Sequence, residues 1–485
     1  MKILLIQPPY RHGRDMLPTG LAYVAAYLLR AGHEVKVLDA DAFTYTKSQL
    51  EKKLTEEKYD ILGIGCIVTA YNFVLQVSNF IKAIKPEVAI VVGGTLASYS
   101  YNILLKNSPV DYCVIGEGEL TMVDLLSALR EKRDLKKVDG IAFKENGTII
   151  VTGARAQIAN LDNIPYPPRD LFYAKEAYSR NTSVDNIFKA GRCMNISGGR
   201  GCPYSCTFCS YDRKVRLRSA GSLIDELKML KRDYGIKNFS FEDDLFMVSL
   251  ERVEDFCNML IKDRLNLCWS ASGRVNLVNK NVLSLMKRAG CYTLGYGLES
   301  GSAEMLKRMN KFVTPEQNEY AIKATREAGI LPGGSWIIGM PGETRETAQM
   351  SVDLYKRINR YRKICNEFFF ATPYPGTELY KEMQRKGRIT DEHEYMVKVS
   401  AAGDAFKFVI NCTDSFTDDE LIEVKKNADF IVKKDFYKKH PFIRLADILR
   451  LDIAKKIIIF LKLNGPAKFC RKISKKLTGG IDTHN

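Results

Sequence analysis

Long apolar runs are absent from this sequence of 485 residues. The longest uninterrupted apolar run near the C-terminus, residues 457–461, is far shorter than the roughly 20 residues that a membrane-spanning helix needs. The chain also does not open with a charged segment followed by an apolar stretch, because the strand-like residues 1–7 end at two prolines. We therefore expect no transmembrane helix, no secretion signal and a cytoplasmic location.

Without a secretion signal, the twelve cysteines are expected to be reduced thiols, some of them metal ligands. Nine stand alone, whereas Cys202, Cys206 and Cys209 lie within eight residues. No second cysteine or histidine pair stands nearby, so the four ligands of a structural zinc site are lacking. Three thiolates on one loop can instead hold three irons of a cubane and leave the fourth iron open. The spacing by itself still allows another iron–sulfur or metal-binding loop.

Net positive charge is small over most of the chain, although the total net charge is +16. Residues 433–476 carry fourteen Lys or Arg and three Asp, a net +11, which leaves +5 for the rest. A nucleic-acid-binding surface is therefore disfavoured. The mixed apolar and basic residues of 442–463 are typical of a basic amphipathic helix. Such a helix either lies on an anionic membrane, which predicts peripheral contact through residues 440–478, or packs on the protein with a solvated face.

The N-terminal part alternates strand-like and helix-like stretches, which is typical of α/β proteins with a doubly wound, Rossmann-like parallel sheet. The predicted strands are residues 2–7, 35–39, 61–66, 90–93 and 112–115. Two of the strands are followed by the glycine-containing turns 93–94 and 116–119. Ligands of open parallel sheets lie beyond the carboxyl ends of the strands. These turns therefore either border a large cofactor or serve only as tight turns. We place this domain at residues 1–150.

Prolines at 165, 167 and 168 interrupt the alternation and indicate a linker, residues 151–189. A second alternation occupies residues 190–390. Its predicted strands are 194–198, 238–242, 267–272, 292–298, 334–338 and 368–372. Six β/α repeats predict a partial (β/α)6 barrel of the TIM type, in which reactive groups project from the carboxyl ends of the strands. Residues 391–485 are predicted to form a mainly helical C-terminal segment.

A polar or glycine-containing motif follows each predicted barrel strand, and the cysteine loop follows the first. The later motifs contain Glu242, Asp243 and Asp244 after the second strand, Arg274 after the third, Glu299 and Ser300 after the fourth, Gly339 and Pro341 after the fifth, and residues 374–377 after the sixth. Carboxylates at such positions accept hydrogen bonds from a ligand, or they form solvated turns and helix N-caps. An arginine there binds a carboxylate as a fork, or it forms a structural ion pair.

The Cys-x3-Cys-x2-Cys loop after the first strand of a partial barrel resembles that of the radical S-adenosylmethionine superfamily. The resemblance extends over roughly residues 190–390 and implies a [4Fe–4S] cluster held by Cys202, Cys206 and Cys209. In that family, S-adenosylmethionine chelates the open iron and is cleaved reductively to a 5′-deoxyadenosyl radical, with electrons from an external donor such as flavodoxin or ferredoxin. The implied contacts to S-adenosylmethionine are Glu242, Asp243, Arg274, Glu299, Ser300, Gly339 and Pro341.

The preceding domain resembles the cobalamin-binding module of B12-dependent radical enzymes, on the strength of residues 91–94 and 115–119. The implied cobalamin contacts are Thr69, Gly93, Gly94, Thr95, Glu117 and Gly118. The first turn lacks an Asp-x-His-x-x-Gly motif, so we expect cobalamin to bind without a histidine ligand and His12 to be a surface residue. Many relatives have proline and histidine after the double glycine, where this chain has Thr95-Leu96. A domain that has lost cobalamin and serves as a scaffold is the alternative.

These resemblances together imply a cobalamin-dependent radical methyltransferase that acts on an unactivated centre of a small-molecule or lipid-like substrate. One alternative keeps the cofactors but predicts a radical cyclase, mutase or carbon–carbon bond-forming enzyme. An alternative of another class is a non-catalytic iron–sulfur protein that transfers electrons or serves as a scaffold. The sequence names neither the substrate nor the oligomeric state.

Overall fold

The computed structural model describes residues 1–10, 16–172, 192–210, 212–358 and 368–441. His12 and residues 442–478 of the segment predicted to contact a membrane lie outside the described residues. None of the helices in the described ranges is both long enough and apolar enough to cross a bilayer.

The first 151 residues form a seven-stranded sheet of order β2-β1-β3-β4-β5-β6-β7. Its strands are β1 Lys2–Gln7, β2 Glu34–Asp39, β3 Ile61–Gly65, β4 Ala89–Gly93, β5 Tyr112–Val114, β6 Ile141–Glu145 and β7 Thr148–Val151. Its helices are α1 Thr19–Arg30, α2 Ala40–Phe43, α3 Lys47–Glu56, α4 Tyr71–Ile84, α5 Thr95–Asn107 and α6 Gly118–Glu131. The first five strands are mutually parallel, as predicted, and each predicted strand is found within one residue of its expected bounds.

An antiparallel hairpin, β6 and β7, extends this sheet and was not predicted. Its turn is Asn146-Gly147, and both residues have positive φ, 50° and 81°. This backbone conformation is the one that two-residue hairpin turns require, which explains the choice of asparagine and glycine. The hairpin places the chain beside β5 before it enters the linker.

The second sheet has six parallel strands in the order β15-β14-β13-β12-β11-β8 and curls into a half-barrel, which confirms the predicted fold class. The strands are β8 Cys193–Ile196, β11 Asn238–Phe241, β12 Cys268–Gly273, β13 Cys291–Glu299, β14 Leu331–Ile338 and β15 Phe369–Phe370. The helices between them are α7 Ala220–Tyr234, α8 Leu250–Lys262, α9 Lys280–Arg288, α10 Ala303–Arg308, α11 Pro315–Glu327 and α12 Arg345–Ile358. A short hairpin, β9 Gly199–Arg200 with β10 Arg216–Leu217, follows β8.

Aromatic side chains from β11, β12 and α8 pack between the half-barrel and its helices. Phe239 stacks on Trp269 at 6.2 Å between ring centroids, and both side chains are fully buried. Phe256 of α8 meets Trp269 edge to face at 5.8 Å. Pairs of this geometry add to the free energy of burying the rings. This core fixes β11 and β12, whose carboxyl ends carry Asp243 and Arg274.

Three further helices follow the half-barrel: α13 Glu378–Arg385, α14 Glu392–Ala402 and α15 Asp418–Lys439. Helix α14 packs on the N-terminal domain, where Ser400 Oγ donates to the carbonyl of Thr69 at 2.8 Å and accepts from the amide of Asn72 at 3.0 Å. Thr417 begins α15 with a capping box completed by Glu420. The helical character predicted for this part of the chain is confirmed over the described residues.

Candidate functional site

The cysteine loop closes the hairpin formed by β9 and β10. The amide of Cys202 donates to the carbonyl of Asp212 at 2.8 Å, which joins the two arms of the loop. Gly201 has φ +85°, and a side chain there would collide with the carbonyl of Lys214. Glycine is therefore required directly before the first cysteine.

Two segments from outside the hairpin hold the loop on both sides of its second cysteine. The amide of Thr207 donates to the carbonyl of Met309 at 3.0 Å, and the carbonyl of Thr207 accepts from the amide of Leu379 at 2.9 Å. The side-chain amide of Asn310 donates to the carbonyl of Ser205 at 2.8 Å. The loop is thus held in the opening of the half-barrel by contacts within the protein.

Among the residues that the structure describes, no disulfide involves any of the three cysteines of the loop. Cys206 is buried, whereas Cys202 and Cys209 are half-buried. Within the described ranges, no three His, Cys, Asp or Glu side chains converge on a point where one metal ion would sit. A cubane makes a different demand, because each of its irons takes only one thiolate from the loop. Three thiols on one loop fit the cluster.

The carboxylates after β11 shape this loop. Asp243 is buried and accepts a hydrogen bond of 2.5 Å from the amide of Gly198, while Asp244 accepts one of 3.0 Å from the amide of Gly201. Burial raises the pKa of Asp243 to about 6, although nearby Arg252 and the loop amides lower it. Glu242 lies nearer the N-terminal domain, where Thr19 Oγ1 donates to it at 3.4 Å. The structure thus places Asp243 and Asp244 beneath the cysteine loop.

Arg274, at the carboxyl end of β12, lies directly beside the cysteine loop. Its Nη1 is 3.9 Å from the Sγ of Cys206, and its guanidinium stacks over the ring of Tyr204 at 3.6 Å from the centroid. The other end of the fork donates to the carbonyl of Lys311. The side chain is buried. Arg274 therefore places a positive charge against a predicted cluster ligand.

Glu299, at the carboxyl end of β13, forms a buried ion pair with Lys311 at 2.9 Å. Its backbone has φ +60°, which is uncommon for a residue with a side chain and is typical of functional sites. The carboxylate folds back over Gly297, where a Cβ would collide with it. Lys311 was not predicted from the sequence, because it follows a helix rather than a strand.

Ser300 is fully buried, and its hydroxyl is already engaged. It lies 3.1 Å from the hydroxyl of Ser351 and accepts from the amide of Ser302 at 3.1 Å. The side-chain amide of Asn318 also donates to the carbonyl of Ser300 at 3.2 Å. These contacts make Ser300 part of the frame that holds the end of β13.

The turn after β14 contains Gly339 and Pro341. Gly339 has φ +91°, and its amide donates to the carboxylate of Glu343. Glu343 is fully buried and its Oε1 has no hydrogen-bond partner in the described structure. Burial raises the pKa of Glu343 to about 7, although the amides of Gly339 and Met340 lower it. The turn is therefore held by a buried carboxyl group whose pKa lies well above its ordinary value.

The candidate cobalamin face is formed by turns at the carboxyl ends of β3 and β4. Gly94 has φ +85°, and a side chain there would collide with the carbonyl of Cys66. Gly94 and Thr95 are exposed. The Oγ1 of Thr69 is shielded from solvent and lacks a hydrogen-bond partner in the described part of the chain. An open glycine turn beside an unpaired hydroxyl fits a large polar ligand such as cobalamin.

The structure places Glu117 and Gly118 in contacts within the protein. Glu117 pairs with Arg200 at 2.6 Å and with Arg216 at 2.8 Å, so its carboxylate faces the cysteine hairpin. A Cβ at Gly118 would lie 3.0 Å from Val24 of α1, which makes this glycine a helix-packing position. Of the six predicted cobalamin contacts, Thr69 and Gly93–Thr95 lie at the open turns after β3 and β4. Glu117 and Gly118 follow the neighbouring strand β5 and have contacts within the protein.

Two family models match two separate parts of the chain. A B12 binding domain matches residues 11–126, and the radical SAM superfamily matches residues 196–355. The first contains the open glycine turn, and the second contains the cysteine loop and all the barrel residues described above up to Glu343.

Curated relatives cover most of the chain. A protein of Pyrococcus horikoshii named as an uncharacterized methyltransferase is 34% identical over 79% of this chain and 83% of its own. The anaerobic magnesium-protoporphyrin IX monomethyl ester cyclase of Rubrivivax gelatinosus is 29% identical over 81% of this chain and 72% of its own. The two relatives differ in the reaction that their names state.

A solved structure shares the fold of most of this chain. The radical S-adenosylmethionine methyltransferase TsrM from Kitasatospora setae, with cobalamin and a [4Fe–4S] cluster bound, matches with a TM-score of 0.64 and 20% identity. The match covers 79% of this chain and 78% of that one. The chain therefore belongs to the cobalamin-dependent radical S-adenosylmethionine enzymes, whose cofactors are a [4Fe–4S] cluster, S-adenosylmethionine and cobalamin.

Proposed function

We propose that this enzyme transfers a methyl group from S-adenosylmethionine, by way of cobalamin, to an unactivated centre of a small molecule. The observation that carries the proposal is the 34% identity, over most of both chains, to a relative named as a methyltransferase. When bound, the cofactors supply the reactive chemistry: an electron for reductive cleavage of S-adenosylmethionine, and a methyl group carried by cobalamin.

The geometry supports this proposal because the two cofactor-binding regions adjoin. Asn195 of β8 forms two hydrogen bonds of 2.8 Å with the backbone of Leu17, which follows the first turn of the N-terminal sheet. Thr19, two residues later, reaches Glu242 after β11. The carboxyl ends of both sheets therefore meet, which would allow both cofactors to act on one substrate.

The protein contributes binding, orientation and charge. In this proposal Cys202, Cys206 and Cys209 each hold one iron, and Asp243 and Asp244 keep their loop in shape. Glu299 and Lys311 offer a carboxylate and an ammonium group, suited to the ribose hydroxyls and the methionine carboxylate of S-adenosylmethionine. The buried positions of both side chains strengthen such contacts, because little water competes for them.

The other residues predicted to contact S-adenosylmethionine differ in the role that their positions suit. Gly339 and Pro341 lie on a turn whose backbone groups suit the adenine edge, and Glu242 suits the cofactor's ammonium group. Arg274 suits the methionine carboxylate, but its contact with Cys206 also favours a charge effect on the cluster. Ser300 acts by holding the strand end, since its hydroxyl is engaged within the protein.

Transfer of a deuterated methyl group from S-adenosylmethionine to a product tests the proposed methyl transfer. The enzyme, reconstituted anaerobically with cluster and cobalamin, is incubated with a reduced electron donor such as flavodoxin or ferredoxin, with S-adenosylmethionine carrying a deuterated methyl group, and with an extract of candidate small molecules. A product heavier by one labelled methyl group supports the proposal. Release of 5′-deoxyadenosine with an unlabelled, rearranged product would support the cyclase alternative, which the 29% identity to a named cyclase favours. Absence of 5′-deoxyadenosine from the fully loaded protein would contradict both.

A further inference from the structure

Helix α5 begins at the open glycine turn and reaches the far end of the cysteine loop. The hydroxyl of Tyr99, in the second turn of this helix, donates to the carbonyl of Ser210 at 2.6 Å. Ser210 directly follows Cys209. The ring of Tyr99 lies on Gly376, where a Cβ would collide with it. One tyrosine of the N-terminal domain thus contacts both the cysteine loop and the last motif of the half-barrel.

The same helix is connected to the near end of the loop. Ser98 Oγ accepts from the amide of Gly116 at 3.0 Å, and Gly116 precedes Glu117. Glu117 pairs with Arg200 and Arg216, the two arginines at the base of the cysteine hairpin, and Arg200 also pairs with Glu119. Arg200 stands two residues before Cys202. Both ends of the loop are therefore held from the N-terminal domain.

The contact between Glu117 and the base of the cysteine hairpin is a partly buried set of ion pairs and hydrogen bonds. Burial raises the pKa of Glu117, but its ion pairs with Arg200 and Arg216 outweigh this effect and hold the pKa below its usual value. Its other carboxylate oxygen accepts from the amide of Ile158 at 2.9 Å. Arg216 is buried and also donates to the carbonyl of Ile158 at 2.9 Å. Removal of the Glu117 carboxylate would leave two arginines without their shared partner.

We propose that Tyr99 and Glu117 are positioning residues that link cobalamin binding to the order of the cluster loop. The link follows from one helix that begins at the proposed cobalamin turn, Gly93–Thr95. This helix contacts the far end of the loop through Tyr99, and Ser98 connects it through Gly116 to Glu117, which holds the near end. Ordering of that turn by cobalamin lowers the freedom of α5 and, through these two contacts, the freedom of residues 198–210. Such linkage is reciprocal, so the cluster also strengthens cobalamin binding. The inference rests on the proposed placement of cobalamin at this turn.

Hydrogen–deuterium exchange of the full chain, loaded with the cluster and measured with and without hydroxocobalamin, tests the link. We expect cobalamin to slow exchange in residues 90–98 and, by about fivefold, in residues 198–210, at the lower end of coupling between sites. In Tyr99→Phe and in Glu117→Gln, slowing at 90–98 is expected to persist while slowing at 198–210 falls by at least half.

Matched controls separate the link from a general loss of stability. Tyr101→Phe removes a hydroxyl from the same helix, and Asp124→Asn removes a carboxylate of α6 that pairs with Arg133 and Arg155 rather than with the hairpin. Both are expected to behave as the wild type. The exchange measurement on the wild type tests the link even if a variant does not fold.

Three outcomes would each overturn a different part of the inference. Slowing at 90–98 without any change at 198–210 in the wild type would refute the link while leaving the cobalamin placement intact. No slowing at 90–98, with cobalamin bound, would refute the placement and the link with it. A full response of residues 198–210 in both variants would show that other contacts carry the effect.

Discussion

The guanidinium of Arg274 lies against the thiol of Cys206, with 3.9 Å between Nη1 and Sγ. Arg274 is buried and kept in place by the ring of Tyr204 and the carbonyl of Lys311. A fixed positive charge beside a cluster ligand stabilises negative charge on the cluster, and the reduced cluster carries one more negative charge than the oxidised one. Arg274 should therefore favour reduction.

Arg274→Gln is expected to lower the reduction potential of the cluster by on the order of 100 mV, because one nearby positive charge is lost at low effective dielectric. Arg274→Lys keeps the positive charge, so it should lower the reduction potential by less than Arg274→Gln does. Anaerobic redox titration followed by electron paramagnetic resonance measures it. Arg288→Gln, at the exposed end of α9, is the control. An unchanged potential in Arg274→Gln would contradict a charge effect.

Each single substitution Cys202→Ala, Cys206→Ala or Cys209→Ala should prevent stable cluster assembly, since each thiolate holds a separate iron. We expect the iron content after reconstitution to fall to about a tenth or less of the wild-type value. Cys193→Ala, which removes a half-buried thiol outside the loop, serves as the control and should bind iron normally. Full iron content in any loop variant would argue against the assigned ligands.

Gly94→Ala should abolish or strongly weaken cobalamin binding. A Cβ at this position collides with the carbonyl of Cys66, and the positive φ adds strain of about 1 kcal/mol or more. Gly20→Ala is the matched control, because a Cβ there meets nothing within 4 Å and φ is not positive. Bound cobalamin is measured by its visible absorption after gel filtration. Equal cobalamin content in the two variants would refute the placement of the corrin at this turn.

Glu343→Gln should alter how stability depends on pH. The pKa of Glu343 is about 7 in the folded protein, chiefly because of burial, against an ordinary value of 4.5. Folding therefore takes up a proton between these values, and this group's contribution to stability falls as pH rises from 4.5 to about 7. The amide that replaces the carboxyl group does not ionise, so the variant does not lose stability in this way as pH rises. Relative to the wild type, the variant should gain in melting temperature between pH 5.5 and pH 8. If the melting temperatures of the two proteins changed in parallel with pH, the raised pKa assigned to Glu343 would be contradicted.

The strands and the cysteine loop could be predicted because they depend on local patterns. Apolar runs of strand length separated by helical periodicity specify a parallel α/β fold, and a fixed cysteine spacing specifies a small loop of thiols. The hairpin of β6 and β7 carried a usable signal, since Asn146-Gly147 is a typical two-residue turn. Lys311 carried none, because a lysine after a helix is ordinarily a solvated residue.

The sequence by itself determined the two α/β domains, the loop of three cysteines and the family. Only the tertiary structure decided that Glu117, expected at the cobalamin face, pairs instead with Arg200, 83 residues away. It also decided that Arg274 lies against Cys206 and that Ser300 is bonded within the protein. The physical reason is that periodicity and spacing report the geometry of neighbouring residues, whereas the partner of a charged side chain depends on how distant elements pack.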